Sequence, residues 1–407
     1  MNEVRVAGTK GSPAEVFRTS LKLGLTSFGG PIAHLGYFER TYVQRLRWLT
    51  AADYAGIVAL CQLLPGPASS QVGFLIGYHR AGWRGASAAW TGFTLPSAVL
   101  MYGFALYASR TKGMAMTIVV HGLMLTAAAV VAQAVWSMAR RLCPDWPRKS
   151  IAMLALVLLL IHGNAALQIA AMMLGAVGGW LWCRREPLNE LVPPVGLGLR
   201  SAWLLVALVG ALLIALPVMA IPDSHGMIAF TGIFYRTGAV VFGGGHVVLP
   251  ILRDALVPNG WVSDRTFLAG YGFAQAIPGP LFTLAAYLGA VSAPGPTSGL
   301  WATVALLAIF LPGLLLAVAG MSLWSHLLGR LQVAQAAIAG VNAAVVGVLG
   351  AALYSPVGTT AIHSAFDGVI VAAGLLFLGR WRAPPILVTL FCVLGSAATA
   401  GVLAPAG

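Results

Sequence analysis

The chain has 407 residues, of which 59% are hydrophobic and only 9% are charged. Soluble domains devote roughly a quarter of their residues to charge, so this composition excludes a soluble protein. Lys and Arg together exceed Asp and Glu by 13 charges. Basic pairs such as Arg140-Arg141 and Arg184-Arg185 lie just outside apolar segments, as in the loops of membrane proteins, so we expect no nucleic-acid partner.

Apolar segments recur from Val16 almost to the C-terminus. Crossing a hydrocarbon core of about 30 Å takes roughly 20 helical residues, and lipid offers backbone groups no partner, so the spans must be helices or a closed barrel. The continuous Leu, Ala, Val and Gly character, without alternation, selects helices. Thirteen segments are predicted, near residues 16–36, 51–80, 86–108, 117–141, 149–162, 165–183, 201–219, 226–250, 265–292, 300–325, 333–354, 365–379 and 384–404. We therefore predict an all-α, multi-pass protein of the inner membrane with 12–13 transmembrane helices.

The basic loops give an orientation to this topology. Residues 140–149, 184–200 and 380–382 are expected on the cytoplasmic side under the positive-inside rule. Counting back through the segments places the N-terminus in the cytoplasm and the C-terminal tail outside. The loops that contain Arg40, Arg45 and Arg47, and also Arg110 and Lys112, would then lie outside, so their charges conflict with a thirteen-span topology.

The two halves of the chain repeat the same motifs. Phe28-Gly29-Gly30-Pro31 recurs as Phe242-Gly243-Gly244-Gly245, Gln62 as Gln275, Pro65-Gly66-Pro67 as Pro278-Gly279-Pro280, Leu95-Pro96 as Leu311-Pro312 and Gly122 as Gly340, at offsets between 213 and 218. We predict two homologous repeats, residues 1–200 and 201–407. Seven predicted spans separate one copy from the other, and this odd number predicts inverted repeats with a substrate site between them near the bilayer midplane. The count treats each Pro-Gly-Pro segment as one crossing, and a re-entrant hairpin at either segment is the alternative, which would change the parity.

Each Pro-Gly-Pro motif interrupts an apolar segment, so residues 51–80 and 265–292 are predicted to be broken helices with Thr50 and Ser263 as N-caps. The second piece of a broken helix starts with about four free N–H groups at the positive end of its dipole, which suits an anion. Polar residues flank both breaks: Gln62, Ser69, Ser70 and Gln71 in the first copy, and Gln275 and Thr283 in the second. A simple proline kink, with polar side chains satisfying the freed carbonyls, is the alternative.

A cation lies six residues before each Phe-Gly-Gly, namely Lys22 in the first half and Arg236 in the second. Arg236 stands about ten residues inside an apolar span, where a charge costs a few kcal/mol or more, so it is predicted to contact the substrate. Lys22 lies nearer its helix end, and snorkelling to the interface is the alternative. The glycine runs Gly29-Gly30 and Gly243–Gly245 indicate either unwound backbone beside a cavity or close helix contacts.

The sequence contains no P-loop, no H-E-x-x-H and no Ser/His/Asp constellation, which disfavours an ATP-driven pump or an embedded hydrolase. The four cysteines lack C-x-x-C spacing and indicate neither a disulfide framework nor a zinc site. We therefore predict a protein that is not an enzyme and needs no cofactor or metal. His34 and His246 flank the glycine motifs at non-equivalent positions and are secondary candidates for proton coupling.

The motifs together resemble a known family. The pattern K-x-G-x-x-x-F-G-G-P from Lys22 to Pro31, the W-L-T at 48–50, the Q-L-L-P-G-P at 62–67 and their second-half counterparts closely resemble the chromate ion transporter family in its long, two-domain form. Gly245, where the first copy has Pro31, departs from the pattern. The resemblance implies export of chromate from the cytoplasm, resistance to chromate, and sulfate as a chemically similar oxyanion.

Two alternatives stay open on the sequence. The chain is either a permease for sulfate or another anion, or, from a different class, a non-transporting membrane scaffold or channel subunit whose glycines serve helix packing. The expected partners are chromate and the lipid bilayer. Sulfate as a second substrate and a homodimer are left open.

Overall fold

The computed structural model describes residues 11–28, 30–110, 113–161, 165–183, 197–242, 247–381 and 383–403. Within these ranges the chain is helical and contains no strand, which confirms the all-α prediction. The α-helices are α1 (Pro13–Thr26), α2 (Gly30–Phe38), α3 (Ala51–Leu63), α4 (Ala68–Arg110), α5 (Met114–Leu142), α6 (Trp146–Ile161), α7 (Ala165–Trp182), α8 (Leu199–Met219), α9 (Met227–Val240), α10 (Val248–Leu256), α11 (Asp264–Ala276), α12 (Leu284–Ser292), α13 (Ser298–Ala352), α14 (Thr359–Ala361), α15 (Ala365–Gly379) and α16 (Pro385–Leu403). Short π-helical turns occupy Glu39–Arg45 and Leu353–Gly358, and a 3-10 turn occupies Leu281–Thr283.

The predicted N-caps start the two interrupted helices. The side chain of Thr50 accepts a hydrogen bond from the N–H of Asp53 at 3.1 Å. Ser263 accepts one from the N–H of Thr266 at 3.2 Å. Each cap satisfies one of the free N–H groups of a helix start. Both predictions are therefore confirmed, and α3 and α11 begin at equivalent places in the two repeats.

The first hydrophobic segment is a hairpin, not a single span. The N–H of Gly11, just before α1, donates to the carbonyl of Arg80 at 3.1 Å. The guanidinium of Arg80 also lies 5.1 Å from the ring centroid of Trp48, which follows α2 and its π-helical turn. The chain therefore leaves the neighbourhood of Arg80 along α1, of about 21 Å at helical rise, and returns to it along α2.

The second hydrophobic segment, residues 51–80, folds back in the same way. Asp53 at the start of α3 acts electrostatically on His79, which lies at the end of the first part of α4. The chain then reverses once more, because Ala81 and Gly82 have non-helical torsions and the backbones of Gly77 and Gly85 pack closely. We call the face that carries residues 11–15, 46–51 and 79–84 the N-terminal face.

The second repeat builds the equivalent hairpins. The ring of His225 before α9 lies 5.4 Å from that of Trp261 after α10. The hydroxyl of Tyr287 in the middle of α12 donates to the carbonyl of Thr266 at the start of α11, at 3.1 Å. Four of the thirteen predicted segments are therefore re-entrant hairpins, and nine remain to cross the bilayer.

The second part of α4 connects the bases of the two sets of hairpins. It starts at Gly82 on the N-terminal face, passes Ser97 beside the Pro-Gly-Pro turn at Gly279, and reaches Tyr102, whose hydroxyl lies 3.2 Å from that of Ser298. Ser298 starts α13, next to the base of α12. The hairpins of the two repeats thus enter from opposite faces, and the repeats are inverted.

Re-entry removes the conflict between charge and topology for Arg40, Arg45 and Arg47, whereas Arg110 at the end of α4 still lies on the opposite face. Arg40, Arg45 and Arg47 follow α2, which returns to the N-terminal face, so they lie on the same side as Arg80 and Arg84. Nine crossings, like thirteen, still place the start of α1 and the end of α16 on opposite faces. Two of the nine begin in helix α13, namely Ser298–Trp324 and Gln335–Ala361, the second of which continues through Leu353–Gly358 into α14. Both spans fit one bilayer only if the chain reverses between them, as it does between α4 and α5.

Each repeat packs its last two helices on the other repeat. Gly122 of α5 lies against the backbone of Val393 in α16, whereas Gly340 of α13 lies against Gly175 and Gly179 in α7. These contacts are equivalent, since Gly122 and Gly340 are a repeated pair and Gly175 aligns with Val393 at the same offset of 218. Helices α6 and α7 therefore pack on the second repeat, and α15 and α16 pack on the first.

Candidate anion site

The tips of the hairpins meet in the centre of the protein. The N–H of Gly66 in the first Pro-Gly-Pro turn donates to the carbonyl of Val241 at 2.7 Å, and the N–H of Gly279 in the second donates to the carbonyl of Ser27 at 3.0 Å. Val241 and Ser27 each immediately precede a Phe-Gly-Gly motif. The structure therefore brings each Pro-Gly-Pro turn into contact with the Phe-Gly-Gly segment of the other repeat.

Only glycine fits at the centre of the two turns. Gly66 has φ of +116° and Gly279 has φ of +103°, a region that other residues rarely adopt. A Cβ on Gly66 would lie 2.9 Å from the Cα of Gly313, and one on Gly279 would lie 2.6 Å from the Oγ of Ser97. Ser97 and Gly313 follow the repeated Leu-Pro pairs, so these tight contacts also obey the symmetry of the repeats.

Both predicted helix breaks are present. Helix α3 ends at Leu63 and α4 begins at Ala68, while α11 ends at Ala276 and a 3-10 turn begins at Leu281. Pro65, Pro67, Pro278 and Pro280 lie in or border the two non-helical links. As at any helix start, the first N–H groups after each link have no partner in their own helix, and they carry the positive end of the dipole.

The predicted hydroxyl residues after the breaks are buried at the tips. The Oγ of Ser69 lies 3.3 Å from the Nδ1 of His34, and the hydroxyl of Thr283 donates to the carbonyl of Pro280 at 2.8 Å. Ser70 is 3% exposed, and its Oγ has no hydrogen-bond partner within the described ranges. Ser70 is thus a donor available to a bound anion, whereas Thr283 closes its own turn.

Further polar atoms without partners lie at or beside the tips of the first repeat. The Oγ of Ser27, the Nε2 of His34 and the Oγ1 of Thr94 are buried and have no hydrogen-bond partner in the described part of the chain. The main chain of Ser27 lies close to the His34 ring, and Ser97 donates to the carbonyl of Thr94 at 3.1 Å. Buried polar groups are normally paired, so this concentration of orphan groups indicates a site for a polar ligand.

Sequence reasoning missed Ser27 and Thr94 and ranked His34 low. The signal was available in the repeat, because the equivalent second-half positions are Val241, Phe310 and Val248. These three positions are therefore polar in the first copy and apolar in the second.

The glutamines near the two breaks differ in exposure and in the groups that they contact. Gln62 is exposed, and Gln275 bonds Tyr271 within α11. Gln71, which directly follows Ser70, instead bridges the repeats, because its Nε2 donates to the carbonyls of Pro65 at 2.7 Å and Gly313 at 2.9 Å. Of the two glutamines expected beside the first break, Gln71 is therefore the one whose amide connects the break to the second repeat.

The two predicted cations lie near the tips but do not touch them. Lys22 and Arg236 are exposed, each four residues before the end of its half-helix, α1 or α9. No carboxylate in the described ranges lies within 4.0 Å of either. Because α1 and α9 enter from opposite faces, the cations lie on opposite sides of the tips.

The remaining predicted residues belong to the Phe-Gly-Gly motifs. Phe28 and Phe242 are half-buried at the ends of α1 and α9, and Gly30 has φ of +76° with open space around it. Gly29, the side chain of Pro31, Gly243, Gly244 and Gly245, as well as His246, lie outside the described residues.

Comparison with known proteins agrees with the two-fold organisation of the site. The sequence profile of the family described as "Chromate transporter" matches residues 14–180 and again 228–397. The chromate transport protein of Pseudomonas aeruginosa is 28% identical over 376 residues, which cover 90% of this chain and 87% of that protein. The probable chromate transport protein of Synechococcus elongatus is 26% identical over 389 residues, covering 92% and 93%.

A third relative, the chromate transport protein of Cupriavidus metallidurans, is 28% identical over 344 residues, covering 82% of this chain and 80% of its own. No solved structure matches the chain. Because the family profile covers both repeats and nearly all the helices described above, the chain belongs to the chromate transporter family.

Proposed function

We propose that this protein exports chromate from the cytoplasm and that the dianion binds where the four hairpin tips meet. The observation that carries the proposal is the reciprocal contact of the tips, Gly66 with Val241 and Gly279 with Ser27, next to buried hydroxyls without partners. The names of the relatives, which are chromate transport proteins, support the choice of substrate.

The chemistry of the tips suits a tetrahedral oxyanion. Such an anion binds several convergent N–H and O–H donors, and hydrogen bonds to a charged group are stronger than neutral ones. Ser27, Ser70 and Thr94 supply hydroxyls, and the starts of α4 and of the 3-10 turn at Leu281 supply backbone N–H groups. Sulfate has the same shape and charge, so it is expected to compete.

The exposed cations give the site two approaches. A charged side chain in contact with lipid at this depth would cost several kcal/mol, so exposure of Lys22 and Arg236 favours aqueous access to the tips from both faces. Lys22 then attracts the anion from the N-terminal face and Arg236 from the opposite face. This arrangement is what alternating access around a fixed midplane site requires.

Two arguments support export. The N-terminal face carries the basic residues Arg45, Arg84, Arg140 and Lys149, which the positive-inside rule assigns to the cytoplasm. Moving a dianion outward across an inside-negative membrane is favoured by about 4.6 kcal/mol per 100 mV. Export therefore needs no ATP, and resistance to chromate would follow from it.

Proteoliposomes that contain the purified chain test the proposal directly. With an imposed potential, negative on the side of the N-terminal face, we expect saturable chromate flux away from that face and competition by sulfate. A membrane scaffold would show no flux above empty vesicles, and a sulfate permease would carry sulfate without being inhibited by chromate. Either result would refute the proposed activity.

Removing the orphan hydroxyl of Ser70 should weaken substrate binding. A hydrogen bond to a charged group contributes about 1.5–3 kcal/mol, so Ser70→Ala should raise the KM for chromate about 10- to 100-fold. Ser292→Ala is the matched control, because its buried hydroxyl also has no partner among the described residues but lies at the base of α12. An unchanged KM in Ser70→Ala would remove this residue from the site.

The opposite placement of the two cations predicts one-sided labelling. Lys22→Cys should react with a membrane-impermeant maleimide added to the N-terminal face, and Arg236→Cys with reagent added to the other face. The four native cysteines are free but buried, so their background reactivity should be low. Labelling of both variants from the same face would contradict the inverted arrangement.

A further inference from the structure

A second concave site lies on the N-terminal side of the protein, away from the hairpins. It has a volume of about 1080 Å³. Its walls are formed by the C-terminal part of α5, Leu353 and the end of α15. The lining includes the apolar residues Ala132, Leu353 and Leu375 and the arginines Arg140, Arg141 and Arg380. None of the residues that line it belongs to the four hairpins. The cavity is therefore separate from the proposed transport site.

The direction of α15 shows on which face the cavity opens. His121 of α5 pairs with Asp367 of α15 at 2.9 Å, and Gly379 near the end of α15 lies against Gln133 of α5. The two helices thus run parallel, and both end on the N-terminal face. The mouth of the cavity lies there, and its floor lies deeper in the membrane.

The walls of the cavity change from apolar to charged along its length. Ala132, Leu353 and Leu375 line the deep end, whereas Arg140 and Arg141 lie about 12 Å further along α5 at helical rise. Arg380 is the third arginine of the lining, and because Gly379 before it lies against Gln133 of α5, its backbone lies about 10 Å deeper than that of Arg140 at helical rise. An apolar wall with cations at its mouth matches an amphiphile with an anionic head, and a free oxyanion would gain nothing from the apolar part.

The three guanidiniums have no counter-charge within the protein as described. Arg140, Arg141 and Arg380 are exposed, and no carboxylate in the described ranges lies within 4.0 Å of them. Two other arginines of this face are paired, Arg80 with Glu15 at 3.3 Å and Arg148 with Asp145 at 3.4 Å, whereas Arg45 and Arg84 have no carboxylate partner in the described ranges. What distinguishes Arg140, Arg141 and Arg380 is that they line one concavity together, where an anion from outside the chain can meet all three.

The three arginines of the cavity have no equivalents in the other repeat. At the offset of 218 that relates α5 to its counterpart, Arg140 and Arg141 correspond to Gly358 and Thr359, and Arg380 corresponds to His162. The three arginines therefore occur on one face only. This is the face that the positive-inside rule assigns to the anionic leaflet.

We propose that this cavity binds an anionic phospholipid of that leaflet. The headgroup phosphate lies among Arg140, Arg141 and Arg380, and an acyl chain lies along Leu353 and Leu375. The lipid joins α5 of the first repeat to α15 of the second. Its binding does not depend on the substrate that the protein carries.

Lipid retention by the purified full-length chain tests this site. The protein is exchanged into nanodiscs of phosphatidylcholine that contain increasing amounts of phosphatidylglycerol, and bound lipid is measured by native mass spectrometry. Each cation near a membrane contributes a few-fold in affinity for anionic lipid, so the triple variant Arg140→Gln, Arg141→Gln, Arg380→Gln should lose on the order of a hundredfold. Retention of phosphatidylcholine should not change.

A matched triple variant controls for net charge. Arg45→Gln, Arg84→Gln and Lys149→Gln remove three exposed cations from the same face but outside the cavity, and should keep the preference for phosphatidylglycerol. Arg380→Gln alone, which leaves α5 intact, should lose a few-fold. The proposal is overturned if the cavity variant keeps its preference or if the control loses it equally. It is also overturned if inorganic phosphate stabilises the protein as well as phosphatidylglycerol, or if only the oligomeric state changes.

Discussion

Chromate flux should fall when Arg236 is replaced by alanine, while the protein stays folded. The side chain is exposed and has no carboxylate partner within the described residues, so its removal breaks no ion pair. It does remove a cation that lies four residues before the end of α9. Because this cation attracts the anion through water and not in a desolvated pair, the attraction is worth about 1 kcal/mol, so flux in proteoliposomes should fall about fivefold at low salt and less at high salt.

Three further variants give this result its meaning. Lys22→Ala should cause a loss of the same order, because Lys22 holds the equivalent position in α1. Arg236→Lys, which keeps the charge, should retain measurable flux. Arg18→Ala removes an exposed cation one turn earlier in α1 and should transport normally. Wild-type flux in Arg236→Ala, with an unchanged melting temperature, would contradict a role for the cation in transport.

The largest loss of stability is expected at the exchanged helix pairs. A side chain at Gly340 would meet the backbone of Gly175 and Gly179, with the Cα of Gly179 2.6 Å from a Cβ. Backbone on both sides leaves no flexible group to move aside. Gly340→Val should therefore lower the free energy of unfolding by about 3 kcal/mol through overpacking, which thermal denaturation in detergent would measure.

Gly103 provides the comparison for Gly340. It also lies inside a long helix, α4, but nothing comes within 4 Å of a Cβ built there. Gly103→Val should leave the melting temperature almost unchanged, whereas Gly122→Val, at the position equivalent to Gly340, should resemble Gly340→Val. If Gly340→Val and Gly103→Val melt alike, α7 is not held against α13 as described.

The repeat and its motifs were readable from the sequence, but the path of the chain was not. The segment 51–80 is as apolar as a single long span, and a hairpin with two arms of about 13 residues has the same hydropathy. What distinguishes them is tertiary contact, such as the approach of Arg80 to both Gly11 and Trp48. The sequence signals were the Pro-Gly-Pro break, which leaves two pieces too short to span alone, and the misplaced charge of Arg40, Arg45 and Arg47.

Part of the candidate site was likewise predictable from the sequence, and part was not. Proline and glycine predicted the breaks because they constrain the backbone wherever they occur. Hydroxyl residues carry no such signal, since a serine or threonine in an apolar helix usually bonds its own backbone, as Thr126 does with the carbonyl of Gly122 at 2.9 Å. Ser27 and Thr94 lack such a bond, and the sequence marks them only through the apolar residues Val241 and Phe310 at the equivalent second-half positions.

The exchange of helix pairs has a consequence for biosynthesis. Helices α6 and α7 leave the ribosome before the part of α13 on which they pack has been made, while α5 must wait for α15 and α16 at the very end of the chain. Neither repeat can complete its own packing, so the two must mature together. If the gene were split between α7 and α8, the two fragments would be expected to co-assemble in the membrane, and each produced alone would be degraded.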